Sequence, residues 1–185
     1  MSRPPYVPFP QGLGDLLRPG DPRSPAMKVR CKRAVETLLA DWEPRGRPRE
    51  VSWHLLSALG AEAGRRLRFW VGLGLSRRVL ERLIERLQSE EYALRVAGTP
   101  APFLPPCSAE APPAALARIG VLFDEISTWS LGRLPPKHVA WAFVVAVLEE
   151  TWLRFGPAAA AEVALWALIE GTLVPPPARR PEARP

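Results

Sequence analysis

Apolar residues recur at helical spacing through most of the chain. Met27, Cys31, Ala34, Val35, Leu38 and Trp42 fall three or four positions apart, with Lys28, Lys32, Arg33 and Glu36 between them. This stripe predicts an amphipathic helix of about 16 residues. Ser24-Pro25 supplies its start, a side-chain acceptor followed by a residue whose φ is already helical, and Pro44 ends it. A second helix is predicted over 50–63, burying Val51, Leu55, Leu56 and Leu59, with Gly64 loosening its end. A short apolar piece follows over 65–73, and Gly72 and Gly74 break the pattern. Ser76 then caps a helix over 77–88. Its inward face is Leu80, Leu83, Ile84 and Leu87, and its outward face is Arg77, Arg78, Glu81, Arg82, Glu85 and Arg86. Residues 92–96 alternate weakly and read as a short strand.

Six prolines lie within 98–113, where no helical pattern exists, so this stretch reads as a hinge or boundary. Beyond it, a helix over 113–129 presents Leu116, Ile119, Leu122, Phe123 and Ile126. The next, over 136–155, is apolar around much of its circumference: Val139, Ala140, Trp141, Phe143, Val144, Val147, Leu148 and Trp152. Such a helix is central to a bundle or lies in an interface. A last helix over 157–170 ends at Gly171, which reads as its C-cap. The fold class is mainly α, with about six helices and at most a small β-wing. The organisation that follows is a Pro/Gly-rich arm (1–24), a basic helical region (25–98), a Pro-rich linker (99–113), an apolar helical association region (114–174) and a disordered basic tail (175–185).

Composition supports a packed core, since 47% of the 185 residues are apolar. No apolar run is long enough to span a bilayer. No secretory signal opens the chain, and two cysteines make no disulfide framework, so a cytoplasmic, intracellular location is expected. Asn is absent, Arg exceeds Lys and Pro is abundant, which fits either a heat-adapted, thermostable protein or GC-rich coding. The net charge of +6 is unevenly spread: residues 27–98 carry +6 and residues 99–174 carry −3. The basic excess therefore sits in the first helical half and the tail.

Residues 65–96, RRLRFWVGLGLSRRVLERLIERLQSEEYALRV, resemble the helix-turn-helix core of winged-helix DNA-binding domains. In that family a helix ends in a Gly-Leu-Ser turn, a recognition helix follows, and a short wing comes next. Here the turn would be Gly74-Leu75-Ser76, the recognition helix 77–87, and 92–98 the start of the wing. Trp70 departs from the family's small residue at the helix crossing, and Glu81 and Glu85 offset the arginines. The resemblance implies that Arg77, Arg78, Arg82 and Arg86 reach phosphates and base edges, with Ser76 at the helix N-terminus meeting a phosphate. Arg45, Arg47 and Arg49 would add contacts to the nucleic-acid backbone. A solvated helix face with i,i+4 Arg/Glu pairs is the competing reading.

Four of the seven tryptophans lie in the second half. A small bundle does not hide four of them easily, which points to a partner or subunit surface at Phe123, Trp129, Trp141, Trp152 and Trp166. The segments WSLGR and EETWLRFG are also similar to apoptosis-regulator helical bundles, although the Asn-Trp-Gly-Arg signature of that family does not occur. His54 and His138 have no metal-ligand spacing to Cys31 or Cys107, GLGLS lacks the lysine of a phosphate-binding loop, and no nucleophile-base signature stands out. Neither cofactor, metal nor catalysis is expected. Two functions result. The first is a non-enzymatic nucleic-acid-binding protein, DNA more than RNA, of the transcription-regulator, replication-initiation or DNA-packaging adaptor type, with an oligomerising or partner-binding half. The second is an all-α adaptor whose groove, lined by residues such as Phe123, Trp141 and Trp152, binds a partner helix.

Overall fold

The computed structural model describes residues 24–42, 48–98, 107, 113–130 and 136–173. The described residues form six helices: α1 (Ser24–Trp42), α2 (Pro48–Val71), α3 (Leu73–Val96), α4 (Pro113–Ser130), α5 (Pro136–Phe155) and α6 (Pro157–Leu173). Four of them begin on proline and α1 has proline second, where its missing N–H costs nothing and its ring presets the helical φ. Gly156 ends α5 in the left-handed region, with φ 93°, and its N–H bonds the Trp152 carbonyl at 2.9 Å. Pro157 then starts α6 at once.

α5 is the centre of the molecule. Every described side chain from His138 to Leu148 is buried, because α1, α2, α4 and α6 all pack around it. The stacked rings of Phe123 and Phe143, 3.9 Å apart, join α4 to α5, and Trp53 meets Phe155 edge-on at 5.4 Å. Lys32 on α1 reaches Glu149 on α5 at 2.8 Å. α2 and α3 both pack on α6, with little contact between themselves. Residues from both sides of the Pro-rich segment therefore share one core, including Leu55, Leu83, Phe143 and Val163. The expected division into a basic region and an apolar association region is a division of charge within one packed unit.

Several local expectations change. Gly64 does not end α2, which runs on to Val71, and Gly171 lies inside α6. Both are sites of backbone contact between helices: a Cβ on Gly64 would sit 2.1 Å from the Ala167 carbonyl oxygen, and one on Gly171 would sit 3.1 Å from that of Gly64. Residues 92–96, expected as a strand, form the last turn of α3, where Glu91 pairs with Arg95 four residues on. Among the described residues there is no strand. Gly74-Leu75-Ser76 lies within the first turn of α3, and the break between α2 and α3 is the single residue Gly72 at φ 80°. The arm apart from Ser24, the linker apart from Cys107 and Pro113, and the tail lie outside the described residues, as do Arg45 and Arg47.

Candidate functional site

The outward faces of α1 and α4 do not close on each other. Between them runs an open groove of about 660 Å³. Its floor is Leu38, Leu122, Ile126 and Trp129, with Val29, Arg30, Arg33 and Asp41 along α1 and Arg118 and Glu125 along α4. The periodicity of each helix explains the lining. α1 turns Met27, Cys31, Val35 and Leu38 to the core. The row at 26, 30, 33, 37 and 41 is thereby left at the groove. α4 buries Ile119, Phe123 and Ile126 and presents Trp129 at its far end. The Arg30 guanidinium lies 4.5 Å from the Trp129 ring centroid, and Arg118 bonds Glu125 at 3.1 Å. The groove is thus apolar at the bottom with charged groups on both rims.

Of the expected partner-binding residues, Trp129 lines this groove and Trp166 is half-buried on α6. Phe123, Trp141 and Trp152 are instead buried in the core, because their helices meet there and a flat ring fills the gap between two such surfaces. The residues that the sequence reading missed are Val29, Arg30, Arg33 and Arg118. Their only signal was Val29, an apolar side chain on the otherwise polar face of α1.

The expected nucleic-acid face lies on α3. Arg77, Arg78, Arg82 and Arg86 are all exposed there. Arg77 is paired with Glu81 at 2.7 Å and Arg86 with Glu90 at 3.2 Å, while the Arg78 Nε–H bonds the Gly74 carbonyl at 3.2 Å. The pair with Glu81 holds the Arg77 guanidinium above its usual pKa. Ser76 is buried, and its hydroxyl donates to the Leu73 carbonyl at 3.0 Å, so it is turned away from any phosphate. Arg49, on the first turn of α2, lies 5.6 Å from the Phe155 ring rather than beside the α3 arginines. Trp70 is exposed at the end of α2.

The remaining reactive groups are held quiet by burial. It pushes the Cys31 thiol up to about 12 and the Cys107 thiol up to about 11, the latter despite a hydrogen bond with Ser57. Both thiols are protonated at neutral pH. Burial also raises the Glu150 carboxyl above its ordinary range, opposed by the Arg154 bond at 3.3 Å. Among the described residues no group of three His, Cys, Asp or Glu side chains is placed to hold a metal ion. No helix there is long and apolar enough to cross a membrane. No family model, curated protein or solved structure matches this chain.

Proposed function

We propose that the protein is a non-enzymatic, all-α interaction module whose α1–α4 groove receives an amphipathic helix of a partner. The observation that carries this is the groove itself: two helices splayed over an apolar floor ending in Trp129. A partner helix with apolar residues at i, i+3 or i+4, and i+7 matches such a floor. Arg30 and Arg33 on the α1 rim favour acidic residues flanking that ridge. The test is fluorescence anisotropy with synthetic amphipathic helical peptides that share one apolar ridge and carry either acidic or basic flanks. Acidic-flanked peptides are expected to bind more tightly, and Val29→Glu, at an exposed position on the groove wall, is expected to weaken them at least tenfold. Equal binding of both peptide sets, or none, would sink the proposal.

A second reading, nucleic-acid binding, is supported by the four exposed arginines on α3. It is opposed by their glutamate partners and by the burial of Ser76. Binding to duplex DNA that falls steeply with salt, and that Arg78→Ala with Arg82→Ala reduces, would favour it over the groove.

A further inference from the structure

The corner where α2 turns into α3 carries a concentration of exposed apolar side chains. Phe69, Trp70, Leu73 and Leu75 are 41%, 43%, 47% and 45% exposed, and all lie within seven consecutive residues. The two rings sit edge to face, with centroids 4.9 Å apart. Gly72, at φ 80° with nothing within 4 Å of its missing Cβ, makes the tip. These side chains are only partly covered by the fold, since α2 and α3 turn their fully buried faces to α6. Exposed apolar clusters of this kind mark places where another apolar phase is met.

The charge around the tip identifies that phase. Residues 65–82 contain six arginines and a single acidic residue, Glu81. Arg78 is exposed in the second turn of α3, and Arg82 is exposed one turn further along it. Arg77 is exposed as well, and its pair with Glu81 is exchangeable with another anion because it is solvated. The end of α6 belongs to the same corner: Arg68 donates to the carbonyls of Gly171 and Thr172 at 2.7 and 3.1 Å. Glu62, which engages Arg65 and Arg66, Asp124, which lies 3.5 Å from Arg66, and Glu170 are carboxylates on this side. Trp and Phe at the headgroup level, leucines below them and arginines on anionic headgroups make up the pattern of a protein surface that lies on a bilayer.

We infer that the α2–α3 corner is a docking tip for an anionic lipid surface, with Phe69, Trp70, Leu73 and Leu75 entering the interface and Arg77, Arg78 and Arg82 meeting the headgroups. This site is separate from the α1–α4 groove. The test is co-sedimentation of the full chain with vesicles of phosphatidylcholine alone and with added phosphatidylserine. Binding to the phosphatidylserine vesicles is expected at low salt, and it should weaken as salt is raised. Phe69→Ser with Trp70→Ser should weaken it at least tenfold while the helical circular dichroism is unchanged, since both positions are exposed. Arg78→Glu with Arg82→Glu should abolish the preference for the anionic vesicles. Absence of binding, binding that the serine variant retains, or a self-association or DNA complex that the serine variant abolishes in place of vesicle binding would each overturn the inference. Acidic-peptide binding in the groove should be unaffected by the serine variant, so the two proposals fail independently.

Discussion

Gly64 shows how one residue's meaning depends on its neighbours. Intrinsic propensity favours alanine over glycine inside a helix by about 1 kcal/mol. Here a Cβ would fall 2.1 Å from the Ala167 carbonyl oxygen, on backbone that cannot rotate aside. Gly64→Ala is therefore expected to destabilise the protein, by about 1–3 kcal/mol as for other overpacked sites. Chemical denaturation measures this, and a variant more stable than the parent would show that α2 and α6 do not touch there. Gly60→Ala meets the Val163 side chain at 2.6 Å and its carbonyl oxygen at 3.4 Å, a looser approach to backbone than at Gly64, so its cost should be smaller. Local pattern cannot reveal this, and a glycine in a helical sequence reads as a weak point or a cap; only the facing helix turns Gly64 and Gly171 into contact sites. Glu150 is a second residue fixed by tertiary surroundings. Burial raises its carboxyl, with Arg154, Glu36 and Lys32 as its charged neighbours. Just above the ordinary glutamate range the native state keeps a proton that the unfolded chain has released. Its contribution to stability therefore falls as pH rises through that window. Glu150→Gln should unfold at higher urea than the parent at neutral pH, and the difference should shrink as the pH falls toward 4.5. An equal gain at both pH values would show that charge is not the cause.

At the scale of elements, helix faces were the most legible feature. The inward set expected for α3, Leu80, Leu83, Ile84 and Leu87, is buried as the period of 3.6 requires. α5, apolar around its circumference, lies at the centre. Legibility stopped at element ends and at surfaces between elements. Residues 92–96 alternate in polarity, yet α3 continues through them to Val96, with Glu91 paired to Arg95. The groove needs α1 and α4 to be neighbours, which two stripes separated by a Pro-rich stretch do not declare. Gly72 is a break that both sequence and fold carry. Without it α2 and α3 would continue as one rod, which could not lay both apolar faces on α6. A non-glycine residue at φ 80° costs about 1–2 kcal/mol. Gly72→Ala is accordingly expected to lower the thermal midpoint, although its side chain would meet no neighbour. An unchanged midpoint would mean that the corner does not hold its left-handed residue.

For the molecule as a whole, charge and core are organised differently. Charge divides the sequence at the Pro-rich stretch, with +6 over 27–98 and −3 over 99–174. The core ignores that division, because α5 and α6 supply the apolar surfaces on which α1, α2 and α3 close. Removing α6 would expose the buried face of α3, Leu80, Leu83, Ile84 and Leu87, together with the α2 face at Gly60 and Gly64. At roughly 1.5–3 kcal/mol for each large side chain returned to water, that loss is comparable with the whole stability of a small domain. The chain should therefore unfold in one transition, with helical circular dichroism and tryptophan fluorescence giving the same midpoint. A fragment of residues 24–98 should retain some helix but melt without a cooperative step. If it instead melts cooperatively, the boundary drawn by charge is also a boundary of folding, and α5 and α6 dock on a half that is already formed.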